Sequence, residues 1–178
     1  YIPALSMSLC RGLILPVMPL FALSFEVSYA MVGVLLAAEG VGNLLADIPA
    51  GTLVQRLGRR RSMLFGAVIM GLMALAMAQA TLLWEAAAYR FVSGIGMALW
   101  NIARHAYITQ MVDVGIRGRT NAGLGGLGRV AGFAAPVVGG FMAESAGLQA
   151  PFILYAMLSV TGFISAWIWI PRDEPSSG

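Results

Sequence analysis

The chain has 178 residues, of which 59% are hydrophobic and only 11% are charged, and its formal net charge is +3. Because a soluble domain carries roughly 25% charged residues, a water-facing surface is excluded and we expect an all-α integral membrane protein. The positive charge does not indicate a nucleic-acid partner, because the arginines lie in short links or singly within apolar runs.

Six apolar runs follow one another along the chain, each close to the 20 or so residues that a bilayer core requires. They predict a single six-transmembrane-helix bundle over residues 1–178, with spans at about 2–23, 29–54, 62–80, 83–107, 121–141 and 150–170. The first run lacks a basic leader and a cleavage site, so we expect no signal peptide. The start at Tyr1 and the polar tail suggest a piece of a longer protein.

Among the links between the predicted spans, only alternate ones contain arginine. The links after spans 2 and 4 and the tail contain Arg56, Arg59, Arg60, Arg61, Arg117, Arg119 and Arg172. The links after spans 1, 3 and 5 contain none. By the positive-inside rule, both termini face the cytoplasm, and we expect the protein to reside in a bacterial cytoplasmic (inner) membrane.

Several ionisable residues fall inside the predicted spans, where a charge costs about 2.5–3.5 kcal/mol on insertion scales and usually faces a cavity or a partner. Arg11, Glu39, Arg90 and Arg129 are therefore candidates for a substrate or proton pathway. Arg11 and Glu39 lie near mid-span in adjacent antiparallel helices, so they could pair. Two interpretations of Glu39 stay open: a structural ion pair, or a carboxylate whose protonation is coupled to substrate movement.

The segment from Asp47 to Leu64 passes from an apolar helix through an arginine cluster into the next apolar run. It resembles the signature loop between the second and third helices of major facilitator superfamily (MFS) transporters. The positions that carry the resemblance are Gly51, Leu53, Arg56, Gly58, Arg59 and Arg60. Gln55 departs from it, because the family has an aspartate there. We therefore expect Asp47 to act as the acidic partner and to meet Arg104 at the cytoplasmic end of span 4.

A second resemblance lies in span 4, where Arg90 is followed by Gly94, Gly96 and Ala98. This order is similar to the fourth-helix motif of the same superfamily. The resemblance implies that Arg90 belongs to a proton relay or a substrate path. The alternative is an arginine held by backbone carbonyls of neighbouring helices.

In span 5, Ala135, Pro136, Gly139 and Gly140 resemble a motif associated with drug/proton antiporters. Ala135 replaces the glycine that precedes the proline in that motif. Small residues at four-residue steps also let helix backbones approach closely, so packing alone is the other interpretation.

The resemblance covers the whole chain and implies the N-terminal six-helix half of an MFS transporter, built from two three-helix inverted repeats. It implies secondary active transport by alternating access, with H⁺ as the coupling ion and efflux of a drug or lipophilic compound. The alternatives are transport of an anionic metabolite by Arg11, Arg90 and Arg129, and a non-transporting membrane receptor or assembly module. The expected partners are a small-molecule substrate, the lipid bilayer, and a C-terminal six-helix half or a second copy.

No catalytic set, cofactor site or metal site is predicted. Cys10 and His105 are the only residues of their types, which excludes an intrachain disulfide and a cysteine–histidine metal cluster. The glycines from Gly123 to Gly128 satisfy a dinucleotide-binding pattern, but that pattern has meaning only after a strand, and here it opens an apolar helix. We therefore expect neither an enzyme nor a nucleic-acid-binding protein.

Overall fold

A computed structural model describes residues 2–111 and 114–170, and this part of the chain is helical with short links. Its helices are α1 (Ile2–Ile14), α2 (Val17–Leu23), α3 (Tyr29–Leu57), α4 (Arg59–Ala78), α5 (Leu83–Met111), α6 (Val114–Ala146) and α7 (Ala150–Trp169). Five stretches of the described residues are long and apolar enough to cross a membrane: Leu5–Leu23, Tyr29–Leu57, Arg59–Ala78, Gly118–Ala146 and Ala150–Trp169. Although α5 is as long as α3, it contains Glu85, Arg90 and Arg104 and is not among them.

Two predicted boundaries differ from the structure. The first predicted span is divided into α1 and α2 next to Pro16, because proline lacks the N–H that a continuous helix would use. The arginine-bearing link predicted between spans 4 and 5 is mostly helical, so Arg117 and Arg119 lie in the first turns of α6. The expected tail arginine, Arg172, lies outside the described residues.

The bundle is organised around α5, which packs against α3 on one side and α4 on the other. The remaining large contacts join α4 to α7, α7 to α1, and α1 to α6. Exchanging α1 with α5, α3 with α6 and α4 with α7 converts four of these five contacts into one another and leaves the fifth, between α4 and α7, unchanged. The described helices therefore have the contact symmetry that two three-helix repeats produce.

The links without arginine meet at one end of the bundle. Residues that follow α2, α4 and α6 line one surface cavity there: Ser24, Phe25, Ala80, Thr81, Gly147 and Leu148. At the opposite end, the arginine-rich start of α4 contacts the end of α7, because Arg60 Nη2 donates a hydrogen bond of 2.6 Å to the Trp167 carbonyl. The alternation of arginine along the sequence thus corresponds to two physical ends of the bundle.

A single residue, Gly58, separates α3 from α4, and its backbone angles are φ 87° and ψ 162°. This region of backbone space is essentially open only to glycine, and other residues forced into it cost about 1–3 kcal/mol. The Gly58 N–H donates to Val54 O at 3.0 Å, and its carbonyl accepts from Ser62 Oγ at 2.8 Å. The sharp turn therefore requires glycine at this position of the arginine-rich segment.

We expect Gly58→Ala to lower the free energy of unfolding by about 1–3 kcal/mol, because the turn then holds a non-glycine residue in that conformation. Unfolding of the purified chain in SDS–detergent mixtures, followed by tryptophan fluorescence, measures the change. Gly51→Ala is the matched control, since a Cβ at Gly51 meets no atom within 4 Å. Equal losses for both variants would contradict the turn requirement.

Candidate functional site

The closest approach between α3 and α5 occurs at two facing glycines, Gly42 and Gly94. A Cβ on Gly42 would overlap the Phe91 carbonyl, and one on Gly94 would overlap the Glu39 carbonyl and lie 2.8 Å from the Asn43 nitrogen. Small residues at such positions let helix backbones come into contact inside a membrane. The crossing therefore determines where along the two helices the neighbouring side chains meet and in which direction they point.

Glu39 and Arg90, one on each side of this crossing, form a salt bridge through Glu39 Oε2 and Arg90 Nη1. The Glu39 side chain is 13% exposed and that of Arg90 is 16% exposed, so the pair is largely shielded within the bundle. Asn43 Nδ2, one turn beyond Glu39, donates a hydrogen bond of 3.5 Å to the Gly94 carbonyl. Both members of a buried pair depend on each other, because an isolated charge at this depth is costly.

Two hydroxyl-bearing side chains are buried in the bundle near this level of the chain's packing. Ser93, one turn after Arg90 on α5, is buried, and so is Tyr155 on α7. Cys10 Sγ on α1 donates a hydrogen bond of 3.6 Å to the Tyr155 backbone carbonyl. Arg90 Nε is buried and has no hydrogen-bond partner among the described residues. The salt bridge thus leaves one donor of the guanidinium unused.

The pairing of Arg11 with Glu39 that the sequence allowed does not occur in the structure. Glu39 is bound to Arg90 instead, and Arg11 lies exposed near the end of α1, without a salt bridge to any described residue. The reason is the packing order, because α3 packs against α5 whereas α1 packs against α6 and α7.

The expected pairing of Asp47 with Arg104 is also absent from the structure. Eight residues separate Asp47 from Glu39, which is two turns plus about 80° of rotation on an α-helix. Asp47 is therefore exposed, while Ala46 and Ala50 take the positions that face α5. Arg104 is partly buried, and its Nε has no hydrogen-bond partner among the described residues.

The arginine-rich turn contacts α7 rather than α5. The Arg60 guanidinium lies over the Trp167 ring, with 4.6 Å from its carbon to the ring centroid, and Trp167 stacks in turn on Phe163. Arg56 is exposed at the edge of a groove of about 280 Å³ between α3 and α5, which also includes Leu53 and Ile95. Gly51 and Arg59 are partly buried near the same end.

The span-5 motif forms a second close crossing, between α6 and α1. A Cβ on Gly12 would lie 2.6 Å from Ala135 Cβ and 3.4 Å from Pro136 Cδ, and one on Gly139 would overlap the Leu13 carbonyl. Gly140 has open space instead. Arg129, on the same helix, is exposed and forms no salt bridge with any described residue. Ala135, Pro136 and Gly139 therefore pack α6 against α1, whereas Gly140 lies on the uncovered side of α6.

Sequence reasoning missed Asn43 and Ser93. A helical spacing signal exists for Ser93, which lies three residues after Arg90 and so on the same face of α5. Asn43 lies four residues after Glu39 and shares its face by the same rule.

The five stretches long and apolar enough to cross a membrane define a polytopic integral membrane protein, and one of them, α3, shares a shielded arginine–carboxylate pair with α5. Residues 2–178 match the family model of the Major Facilitator Superfamily, and the chain belongs to that superfamily.

Three relatives illustrate the match. The chain is 30% identical over 169 residues to Tetracycline resistance protein, class B, of Escherichia coli, covering 92% of the chain and 41% of the relative. It is 24% identical over 170 residues to Multidrug transporter MdfA of Yersinia pestis, covering 96% of the chain and 42% of the relative. It is 26% identical over 165 residues to Multidrug resistance protein 2 of Bacillus subtilis, covering 93% of the chain and 41% of the relative. The chain thus spans about two fifths of these relatives. The family and its multidrug members are transporters rather than enzymes.

Proposed function

We propose that this chain is the N-terminal six-helix half of a proton-coupled transporter that exports a drug or other lipophilic small molecule by alternating access. The observation that carries the proposal is the shielded Glu39–Arg90 salt bridge at the α3–α5 crossing. A carboxylate held by an arginine loses that attraction when it takes up a proton. Protonation therefore changes the relative stability of any two arrangements in which α3 and α5 are paired differently.

The close crossing of α3 and α5 makes the Glu39–Arg90 salt bridge well placed to control how strongly the two helices associate. Around Gly42 and Gly94 the backbones of the two helices are in contact. The strength of the association between α3 and α5 there therefore depends on polar contacts rather than on large side chains. Besides the salt bridge, the described polar contact there is the long hydrogen bond from Asn43 to Gly94. Binding a proton at Glu39 thus removes most of the polar attraction across the crossing.

The partner that we propose is a C-terminal six-helix half, with a second copy of this chain as the alternative. Large apolar side chains are exposed on several helices, among them α3, α6 and α7, and Ile48 on α3 and Phe133 on α6 are 84% and 82% exposed. The relatives are more than twice as long as the chain, which favours a second half over a second copy. The contact symmetry of the described helices supports two inverted repeats, with α5 crossing the membrane as the fourth of six spans.

The arginine distribution supports an orientation in a bacterial inner membrane with the Arg60–Trp167 end in the cytoplasm. In this orientation the arginine-rich turn, with Gly51, Arg56, Gly58 and Arg59, lies at the cytoplasmic mouth of the bundle. We propose that the turn biases the equilibrium between conformations by contacts that exist in one of them. Asp47 and Arg104, which are not joined here, are available for such a state-dependent contact.

The decisive experiment is substrate uptake into everted membrane vesicles driven by an imposed pH gradient, using the full-length protein that contains this chain. We expect Glu39→Gln to reduce gradient-driven uptake at least tenfold while substrate binding is retained, because a permanently neutral side chain no longer exchanges a proton. Glu144→Gln is the control, since Glu144 is exposed at the end of α6 and its loss should leave uptake unchanged. Uptake by Glu39→Gln that still follows the pH gradient would rule out this coupling role.

A second candidate function is transport of an anionic metabolite. It is favoured by Arg11 and Arg129, which are both exposed on the mutually packed helices α1 and α6 and are without salt bridges to described residues. In the same vesicles, anion uptake that survives Glu39→Gln but is lost in Arg11→Gln and Arg129→Gln would select this function. Vesicles that move no tested solute with any gradient would instead indicate a non-transporting receptor or assembly module.

A further inference from the structure

Arg11 and Arg129 both lie inside stretches that are long and apolar enough to cross a membrane, Leu5–Leu23 and Gly118–Ala146. Both residues are exposed, and neither forms a salt bridge with any described residue. An arginine within a membrane span requires a partner or a water-filled cavity, because an unpaired charge is costly there. Each of the two guanidinium groups therefore needs an acceptor that no described carboxylate supplies.

The packing of α1 against α6 places the two arginines close to each other along the helices. A Cβ on Gly128 would lie 3.6 Å from Ser8 Oγ, and a Cβ on Gly12 would lie 3.2 Å from the Ala131 carbonyl oxygen. Residue numbers rise together along this contact, so the two helices run parallel. Each arginine is the sequence neighbour of one of these glycines, and both therefore lie within about one helical turn of the same level.

The two arginines also point to the same side of the α1–α6 pair. Successive residues are about 100° apart around a helix, so Arg11, one residue before Gly12, lies to one side of the contact line. Arg129, one residue after Gly128, is rotated from that line in the opposite sense. Because the helices are parallel and face each other, opposite rotations bring the two side chains to the same side. The two positive charges therefore form a cationic pair that an anion between them would stabilise.

Large exposed apolar side chains lie one turn further along each helix. Leu15 follows Arg11 by four residues, its N–H donates to the Arg11 carbonyl at 3.3 Å, and it is 70% exposed. Phe133 follows Arg129 by four residues and is 82% exposed. Residues four apart share a helix face, so each arginine has an exposed apolar neighbour on its own side. A ligand that fits both parts has an anionic group and an apolar body.

We propose that Arg11 and Arg129 bind the anionic group of a lipophilic substrate, a carboxylate, sulfonate or phosphate attached to an apolar ring or chain. The inference rests on the proposed function, because it names the class of compound that the exporter carries. A guanidinium binds the oxygens of such a group through charge-assisted hydrogen bonds, and one anion has enough oxygens for two guanidinium groups. A small hydrophilic anion would contact the arginines but would leave Leu15 and Phe133 without a partner.

The test is equilibrium binding to the full-length protein that contains this chain, in phosphatidylcholine nanodiscs, after subtraction of binding to empty discs. Naphthalenesulfonate is the lipophilic anion, naphthalenesulfonamide is its neutral counterpart, and methanesulfonate is an anion without the apolar body. We expect naphthalenesulfonate to bind about tenfold more tightly than either of the other two, because each of them lacks one of the two kinds of contact.

Arg11→Gln and Arg129→Gln should each weaken naphthalenesulfonate binding by about tenfold, since each removes a charge-assisted contact, and should leave naphthalenesulfonamide binding unchanged. Phe133→Ala should weaken the binding of both naphthalene compounds and leave that of methanesulfonate unchanged. Arg119→Gln is the matched control, because Arg119 is exposed on the same helix but lies ten residues before Arg129. This variant should bind all three compounds as the parent protein does.

Equal binding of naphthalenesulfonate and naphthalenesulfonamide overturns the inference, and so does an equal loss in Arg119→Gln and Arg129→Gln. Displacement of naphthalenesulfonate by a few molecules of phosphatidylglycerol per disc also overturns it, because the arginines would then bind a lipid headgroup. Absence of naphthalenesulfonate binding overturns it as well. Reduced stability of both arginine variants would in that case assign the pair to carboxylates elsewhere in the full-length protein.

The binding measurement is made without a pH gradient, so it does not depend on proton coupling at Glu39. If naphthalenesulfonate binds as expected but no gradient-driven uptake occurs in vesicles, the cationic pair stands and the proposed transport function fails. If lipophilic compounds are exported with no preference for those that carry an anionic group, the proposed function stands and this inference fails.

Discussion

Replacing Arg90 by methionine is expected to lower the free energy of unfolding by about 3–5 kcal/mol at neutral pH, because it leaves the Glu39 carboxylate shielded and unpaired. Methionine keeps the length and apolar stem of the side chain, so that packing is disturbed little. SDS-induced unfolding of the purified chain measures the change.

The double variant Glu39→Met with Arg90→Met separates the salt bridge from the rest of the site. Removing both charges together leaves no unpaired ion, and buried pairs replaced by apolar residues often cost little. We expect the double variant to recover most of the stability that Arg90→Met loses. An additive result, in which the double variant is less stable than either single one, would show that the two side chains are energetically independent.

Arg11→Met provides the control for deleting an arginine from a predicted span. Arg11 is exposed and forms no salt bridge with the described residues, so its replacement should change stability by no more than about 0.5 kcal/mol. A loss comparable to that of Arg90→Met would mean that insertion or topology, rather than the buried pair, accounts for the effect.

The class of fold was predictable from the sequence because membrane helices satisfy their own backbone groups and so appear as long apolar runs. That Arg90 and Glu39 would need partners inside the bundle was predictable as well, since ionisable residues are rare in membrane spans. Which arginine binds Glu39 was not predictable. That depends on whether α3 packs against α1 or α5, and the preference is decided by Gly42 and Gly94, two glycines whose contacts exist only in the assembled bundle.

The failed pairing of Asp47 with Arg104 has a similar origin. A spacing of eight residues places two side chains about 80° apart on a helix, and at a close crossing this rotation is enough to move Asp47 from the α5 side to the exposed side. The Arg60–Trp167 contact lay beyond prediction for a different reason. It joins the start of α4 to the end of α7, and nothing in either segment specifies the other.

The two glycine crossings give the second large prediction, which concerns Gly42 on α3 and Gly139 on α6. A Cβ at either position would overlap a backbone carbonyl of the neighbouring helix, that of Phe91 or that of Leu13. Backbone atoms move only with the whole helix, so we expect Gly42→Ala and Gly139→Ala each to lower the free energy of unfolding by about 3 kcal/mol, at the upper end of the range for overpacked sites.

The same helices contain matched control glycines, at which alanine is expected not to lower the free energy of unfolding. A Cβ at Gly40 or Gly140 meets no atom within 4 Å, and alanine is favoured over glycine inside a helix by about 1 kcal/mol. Gly40→Ala and Gly140→Ala should therefore leave the isolated chain equally stable or more stable, whereas the two crossing variants lose stability. If Gly140→Ala is harmless in the 178-residue chain but impairs the full-length protein, the uncovered side of α6 contacts the remainder of that protein. If all four variants behave alike, helix propensity outweighs close packing, and the crossings do not determine which arginine Glu39 binds.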